Sequence, residues 1–146
     1  MGEALPFGAL KVLVAEDDKP SRDALQKAVR MLGHECRAAE DGLEAWRMHL
    51  DDPAEVILSD WRMPRMDGLE LCRRTRAADA GGRYTYFIFL THFADQEHLL
   101  EGMNAGADDY HGKPIDLNEL QVRLNAAARV LSVRARLAGE SPSARK

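Results

Sequence analysis

The stretch KVLVAEDDKPSRDAL, residues 11–25, contains a strand, an acidic loop and the start of a helix. Its first five residues form an apolar run typical of a buried strand. Asp18 is expected to cap the helix that Pro20 opens, because proline suits the first helical turn. Apolar residues then recur with a period of about 3.6 up to Leu32, and Gly33 is expected to end the helix.

The same alternation of strand and helix continues along the chain. Further strands are predicted near 35–39, 55–59, 84–90 and 109–112, and helices at about 41–50, 68–77, 95–105 and from 116 onward. Strands that alternate with helices of this length run parallel, with right-handed crossovers and helices on both faces. The sequence therefore predicts an α/β fold, a doubly wound five-stranded parallel sheet whose functional groups lie at the carboxyl ends of the strands.

Composition limits the class of protein and its partners. The chain has 146 residues, of which 45% are hydrophobic and 30% charged, with a formal net charge of −4. These values indicate one globular domain and exclude a disordered, collagen-like or disulfide-scaffold chain. The mildly acidic balance makes nucleic acid and membrane lipid unexpected as direct partners. Without a signal-peptide pattern or a membrane-length apolar run, and with Cys36 and Cys72 expected to be reduced, a cytoplasmic protein is predicted.

Polar residues stand where the predicted strands end. In chain order they are Glu16–Asp18, Asp60, Thr91 and Lys113. Carboxylates that converge on one rim raise one another's pKa, and a hard cation such as Mg²⁺, which prefers oxygen ligands, relieves that repulsion. A carboxylate beside Mg²⁺, an ammonium and a hydroxyl can act as a nucleophile towards phosphorus. We predict that Asp60 is this nucleophile.

From about Leu10 to Leu131 the sequence resembles the receiver domains of response regulators in two-component signalling. The resemblance rests on KVLVAEDD at 11–18, EVILSDWRMPRMDGLEL at 55–71, FLT at 89–91 and AGADDYHGKPI at 105–115. It implies a flavodoxin-like fold of strand order 2-1-3-4-5, and a histidine kinase or histidine phosphotransfer protein as phosphoryl donor. We expect a receiver domain over 9–131, followed by an extension of the last helix and a disordered tail over 132–146.

The resemblance also implies the residues of a metal and acceptor site. Glu16 and Asp17 match the acidic pair that holds Mg²⁺, and Asp60 matches the phosphorylated aspartate. Arg62 matches the residue whose backbone carbonyl completes the metal site. Asp67 and Gly68, which belong to the same motif, are expected to cap the next helix.

A second group of matched residues concerns the response to phosphate. Thr91 corresponds to the switch hydroxyl, Tyr110 to the switch aromatic residue and Lys113 to the lysine that pairs with the phosphate. The resemblance further implies a cis peptide bond before Pro114.

Three residues depart from the usual pattern of the family. His92 and Phe93 follow the switch threonine, where small and polar residues are common, and Ile115 replaces a frequent aromatic residue. None of these changes removes a group that the chemistry needs. We therefore expect an active receiver, that is, a signalling switch and not an enzyme acting on other substrates.

Three other functions remain open on the sequence. A Mg²⁺-dependent phosphatase or mutase typically has a second acid where Arg62 stands, and is disfavoured. In a flavin-binding flavodoxin the first loop must donate hydrogen bonds to a phosphate, which Glu16–Asp18 would repel. The complete set of acidic, threonine and lysine residues argues against an interaction module that works without phosphorylation.

The last helix carries a coiled-coil pattern that predicts a parallel homodimer. Apolar residues at alternating steps of three and four, with Arg134 as the only interruption, are Leu117, Leu120, Leu124, Ala127, Leu131 and Ala138. The first three are expected in the core, whereas Ala127, Val130, Leu131 and Leu137 are expected to be exposed in a monomer. Because few residues follow Lys113, the chain is either a stand-alone receiver or part of a longer protein, and we favour the latter.

Overall fold

The computed structural model describes residue 5, residues 7–79 and residues 83–139, and in this part of the chain strands and helices alternate as predicted. The strands are β1 (Lys11–Ala15), β2 (Glu35–Ala39), β3 (Val56–Ser59), β4 (Tyr86–Thr91) and β5 (Asp109–Gly112). The helices are α1 (Lys19–Met31), α2 (Gly42–Asp51), α3 (Gly68–Ala78), α4 (Gln96–Asn104) and α5 (Leu117–Leu137).

The strands form one parallel sheet in the order β2-β1-β3-β4-β5. The order reverses at β1, because the chain goes from β1 out to β2 and then back across to β3. Ala15 at the end of β1 lies opposite Ser59 at the end of β3, so the loops after these strands leave the sheet side by side. Ligands of doubly wound sheets bind at such a switch point. The predicted fold class and strand order are confirmed.

Two apolar cores cover the two faces of the sheet. Successive side chains of β1 point to opposite faces, so Leu13 joins one core and Val14 the other. Helices α2 and α3 pack on the face that contains Phe87 and Phe89, and helices α1 and α5 pack on the opposite face. Full burial of each large apolar side chain contributes about 1.5–3 kcal/mol. Covering both faces explains why the central strands β1, β3 and β4 are continuous apolar runs.

An aspartate caps the start of every helix in the described chain. Each side chain accepts a hydrogen bond from the backbone N–H three residues later, and the five are Asp18, Asp41, Asp67, Asp95 and Asp116. Such a cap stabilises a helix by roughly 1 kcal/mol. The predicted roles of Asp18 and Asp67 as caps are confirmed.

Strand β4 begins and ends later than predicted. Tyr84 precedes the strand, since pairing with β3 begins at Tyr86. The Tyr84 hydroxyl donates a hydrogen bond to Asp108, and its ring stacks with the guanidinium of Arg134. At the other end, Thr91 is the last residue of the strand, so the sheet sets the position of its backbone.

The predicted exposed stripe of α5 is partly wrong. Ala127 and Leu131 are 0% and 2% exposed, and both belong to the core beneath α5. The reason is that α5 stays packed on the domain beyond residue 131, with Ser132 and Ala135 also buried. Val130 and Leu137 are exposed, as expected. The exposed apolar residues of this part of α5 are Val122, Val130, Val133 and Leu137, and the half-buried Ala126 follows the same spacing.

Three further expectations concern the cysteines, the tail and the membrane. Cys36 and Cys72 are both free, as predicted, and both are buried. The tail predicted to be disordered lies, from position 140 onward, outside the described residues. Among the described helices, none combines the length and the apolar composition of a membrane span.

Candidate functional site

Three carboxylates meet at the carboxyl ends of β1 and β3. Glu16 and Asp17 directly follow β1 and Asp60 directly follows β3, and one oxygen from each lies within 4.8 Å of the others. The backbone places them, since Glu16 N–H donates to Ala39 at 3.1 Å and Asp60 N–H donates to Ala15 at 3.0 Å. Glu16 is buried and Asp17 is exposed, so the group opens to solvent on one side. Three oxygens at this spacing fit one hard cation such as Mg²⁺.

Lys113 reaches this acidic group from the end of β5. Its ammonium donates a hydrogen bond to Asp60 Oδ2 at 2.9 Å and another to Glu16 Oε1. Its backbone N–H donates to the Thr91 carbonyl at 2.9 Å, which ties the loop after β5 to the end of β4. The Lys113–Pro114 peptide bond is cis, as expected.

Burial and charge set the ionisation of these groups. Burial raises the pKa of Glu16, and the hydrogen bonds from Lys113 and from the Asp18 N–H offset this only in part. Burial acts against the charged form of Lys113, but its hydrogen bonds to Glu16 and Asp60 outweigh burial and raise its pKa. Lys113 is therefore an ammonium at neutral pH. A cation beside Glu16 would supply the further positive charge that a buried carboxylate requires.

Backbone and side-chain donors orient the carboxylates. Trp61 N–H donates to Asp60 Oδ1 at 2.6 Å, and Asp18 N–H donates to Glu16 Oε2 at 3.0 Å. Arg22 donates from one nitrogen to the backbone carbonyls of Glu16 and Asp17, at 3.0 and 3.3 Å. The sequence analysis did not single out Arg22. Its position in the first turns of the helix after the acidic loop was the available signal.

Thr91 and Tyr110 are joined through the backbone of Phe93. The Thr91 side chain is buried at the end of β4, and its hydroxyl oxygen accepts a hydrogen bond from Phe93 N–H at 3.2 Å. The Tyr110 hydroxyl donates a hydrogen bond to the Phe93 carbonyl. Thr91 thus lies at the predicted edge of the sheet, with its hydroxyl engaged by Phe93 and not by Asp60.

Arg62 and Phe93 contact each other above the loop that follows Asp60. The guanidinium carbon of Arg62 lies 4.7 Å from the centre of the Phe93 ring. The centre of the His98 ring lies 5.1 Å from that of Phe93 and 5.0 Å from that of Trp61. The side chain of Arg62 is therefore held by an aromatic ring, whereas the role of its carbonyl as a metal ligand stays a prediction. This position offers no second acid, so the phosphatase reading remains disfavoured.

A cleft of about 230 Å³ adjoins the acidic group between α1 and the beginning of α5. Leu25 and Ala28 of α1 line it on one side, and Ile115 and Leu117 line it on the other. Glu16 and Lys113 also contribute to its lining, so the cleft and the carboxylate group share residues. Two departures noted in the sequence lie here, because Ile115 and the exposed His92 both line the cleft.

Comparison with known families gives one clear match. The family model of the response regulator receiver domain matches residues 12–125. The response regulator MprA of Mycobacterium ulcerans (strain Agy99) is 36% identical over 121 residues, which are 83% of this chain and 51% of that protein. The chain therefore spans about half the length of the curated relatives it matches.

Solved structures agree with the family match. The receiver domain of the Francisella response regulator 1452 superposes with a TM-score of 0.75 at 33% identity, covering 83% of this chain and 98% of that one. The chemotaxis protein CheY4 of Vibrio cholerae gives a TM-score of 0.74 at 29% identity, covering 82% and 99%. Both neighbours have the fold described above over nearly their whole length.

Proposed function

Because this chain belongs to the family of response regulator receiver domains, we propose that Asp60 is its phosphoacceptor. Response regulators are signalling switches phosphorylated by histidine kinases. The donor proposed here is the phosphohistidine of a kinase or of a histidine phosphotransfer protein. On this proposal the chain catalyses only its own phosphorylation and dephosphorylation, in the cytoplasm.

The observation that carries the proposal is the single ammonium shared by two carboxylates at the switch point of the sheet. Lys113 donates hydrogen bonds to Asp60 and Glu16, which come from loops far apart in the chain. A doubly wound sheet alone does not specify a function, since many activities share such folds. Carboxylates and an ammonium gathered at the carboxyl edge of the sheet are the groups that phosphoryl transfer to aspartate requires.

The proposed cofactor is Mg²⁺. Glu16, Asp17, Asp60 and the backbone carbonyl of Arg62 would hold it, and an all-oxygen set suits Mg²⁺ better than a soft metal. When bound, Mg²⁺ offsets the negative charge of the transferring phosphoryl group.

The side chains around Asp60 account for the transfer itself. A carboxylate oxygen of Asp60 attacks phosphorus, and a P–O bond forms while the P–N bond to the donor histidine breaks. The electron pair of that bond returns to the imidazole ring. Lys113 and the Trp61 N–H hold the carboxylate in place, and Lys113 is also available to neutralise a phosphoryl oxygen.

The proposed switch uses the connection between Thr91, Phe93 and Tyr110. In the present structure the Thr91 hydroxyl oxygen accepts a hydrogen bond from Phe93 N–H. If the hydroxyl turns to a phosphoryl oxygen, this hydrogen bond is lost. The Phe93 backbone is then free to move, and with it the carbonyl that receives the Tyr110 hydroxyl. The expected outcome is an inward movement of Tyr110 and a repacked face formed by α4, β5 and α5.

The apolar cleft beside the acceptor is proposed as the contact site of the donor protein. An apolar side chain of the donor would enter between Leu25 and Ile115, next to Glu16 and Lys113. A Leu25→Asp or Ile115→Asp variant should lose transfer from a phosphorylated donor protein while it still accepts phosphate from a small phosphodonor. Equal losses with both donors would count against a docking role.

A homodimer through α5 is also proposed, with a stripe of four exposed apolar residues and the half-buried Ala126 as the contact. Val122, Ala126, Val130, Val133 and Leu137 follow steps of four, four, three and four, a coiled-coil spacing. No acidic residue occurs between positions 120 and 139, and Arg129 and Arg136 directly precede two stripe residues. Self-association therefore brings like charges together, and salt should strengthen it.

Sedimentation at low and high salt tests the dimer. The wild-type chain should associate at high salt, and a Val133→Asp, Leu137→Asp variant should be a monomer that still accepts phosphate. A wild-type chain that sediments as a monomer at both salt concentrations, with and without beryllofluoride, contradicts the proposal.

The phosphoacceptor function is tested by the intact mass of the purified chain after incubation with a small-molecule phosphodonor. With Mg²⁺, the mass of one phosphoryl group should be added. No addition would favour an interaction module that works without phosphorylation.

A further inference from the structure

Arg65 has a backbone conformation that its side chain does not favour. Its φ is +70°, and among the described residues it is the one non-glycine residue with a positive φ. An L-residue with a Cβ atom is strained in this left-handed region, whereas glycine is not. Strained residues persist only where surrounding contacts hold them, and they cluster at functional sites. Arg65 lies five residues after Asp60, in the loop that also carries Arg62.

The contact that holds Arg65 is an ion pair with Asp41, which belongs to the loop after β2. Arg65 Nε and Nη2 donate to Asp41 Oδ2 at 2.9 and 2.7 Å. The Asp41 side chain is only 2% exposed, and its other oxygen caps α2 by accepting from Glu44 N–H at 2.8 Å. Both oxygens of this buried carboxylate are thereby used, and two donor groups of one guanidinium fix the orientation of Arg65.

The two loops also touch through their backbones. Gly42 N–H donates to the Met66 carbonyl at 3.1 Å, and a Cβ atom on Gly42 would lie 2.0 Å from that oxygen. At its far end the loop after Asp60 is closed by Gly68, whose N–H donates to the Trp61 carbonyl at 2.8 Å. A Cβ atom on Gly68 would lie 2.1 Å from the Asp60 carbonyl. The segment 61–68 is therefore clamped at its end, and Arg65 and Met66 attach its middle to α2.

We propose that the Arg65–Asp41 pair positions the segment 61–68 for Mg²⁺ binding, and this inference rests on the proposed function. The segment carries Arg62, whose backbone carbonyl is the proposed fourth protein ligand. A small shift of the segment moves that carbonyl relative to Glu16, Asp17 and Asp60. Arg65 is thus a positioning residue that acts on the metal through the loop backbone and not by touching the ion.

The Arg65→Gly variant separates an effect on the position of the loop from an effect on the stability of the fold. Arg65→Gly relieves the backbone strain while it removes the ion pair, whereas Arg65→Ala removes the pair and keeps the strain. We expect Arg65→Gly to be at least as stable as Arg65→Ala in urea unfolding. Both variants should nevertheless bind Mg²⁺ about tenfold more weakly than the wild type, the lower end of the loss seen when a group that orients a ligand is removed.

The measurement is a titration of the purified chain with MgCl₂ alone, without a phosphodonor. The backbone amide signal of Trp61 is the readout, because that N–H donates directly to Asp60. Arg74→Ala is the matched control, since Arg74 pairs with Glu70 at 2.9 Å on the surface of α3. Asp41→Asn is a second variant that keeps a cap for α2 but removes the charge, and it should weaken Mg²⁺ binding in the same direction.

The outcomes are distinct. Mg²⁺ affinity unchanged in both Arg65 variants, or affinity that falls only in proportion to lost stability, overturns the positioning role. If in that case the wild type still binds Mg²⁺ and accepts phosphate on Asp60, the proposed function stands. A wild-type chain that binds no Mg²⁺ overturns both.

Discussion

Acid should destabilise this domain through a buried histidine far from the acceptor. His49 is 5% exposed, and its Nδ1 accepts a hydrogen bond from Ala54 N–H at 3.0 Å. Burial, together with the charges of Arg37 and Arg83, lowers the pKa of His49 from 6.5 to about 4. Protonation in the folded state would place a charge in the core and remove the acceptor of that hydrogen bond.

The magnitude follows from the two pKa values. Below pH 6.5 the His49 side chain is protonated in the unfolded chain, whereas in the folded chain it becomes protonated only near pH 4. Stability therefore falls as the pH falls through this window. At pH 5 this difference in proton binding lowers the free energy of unfolding by RT times the natural logarithm of about thirty, which is about 2 kcal/mol. His34, whose Nδ1 accepts from Leu10 N–H at 2.9 Å and whose pKa burial also lowers, acts in the same direction.

The assay is urea unfolding at pH 7 and pH 5 for the wild type and for His49→Asn. Asparagine places an oxygen near the position of Nδ1, so it keeps an acceptor for Ala54 N–H without titrating. Between pH 7 and pH 5 the free energy of unfolding should fall by about 2 kcal/mol less in the variant than in the wild type. His92→Asn, which replaces an exposed histidine, is the control, and its stability should depend on pH as that of the wild type does. Equal pH dependence in the wild type and His49→Asn would refute the reasoning.

Three further predictions concern the acceptor. Lys113→Ala should weaken the response of the α4, β5 and α5 face more than the loading of phosphate, as amide shifts and intact mass would show, because Lys113 also couples the phosphate to its loop. Phe93→Glu should shorten the lifetime of the acyl phosphate in a dephosphorylation time course, since the ring that packs on Arg62 restricts the attacking water; an equal or longer lifetime would argue against control by water access. Beryllofluoride with Mg²⁺ should shift the amide signals of Thr91, Phe93 and Tyr110, and unchanged shifts there would contradict the proposed switch.

The sheet and the residues at its rim were predictable because local and global signals agree. The three central strands β1, β3 and β4 are short apolar runs followed by polar residues. Parallel strands bring their carboxyl ends to one edge whatever the details of packing. Glu16, Asp60 and Lys113 therefore converge as predicted. Thr91 also reaches the edge, but the hydrogen bond of its hydroxyl with Phe93 depends on the path of the following loop and could not be read from the strand pattern.

The misassigned part of α5 has a simple cause. A step of three and four residues describes both a helix packed on a domain and a helix in a coiled coil, so the spacing of Ala127 and Leu131 could not decide between them. The structure assigns both to the core. The Arg65–Asp41 pair could not be predicted from the sequence for a different reason. It joins residues 24 positions apart, and it depends on a positive φ at Arg65 that an arginine side chain does not indicate.

The most direct test of the account is to locate the phosphoryl group after transfer from a phosphohistidine donor. The chain is treated with phosphorylated donor protein and Mg²⁺, reduced with borohydride to trap an acyl phosphate, digested and analysed by mass spectrometry. The account predicts one modified residue, Asp60, no modification in Asp60→Asn, and a loss of the product when Mg²⁺ is chelated. Undiminished phosphorylation of the Asp60→Asn variant, or a modified residue elsewhere in the wild type, would contradict it.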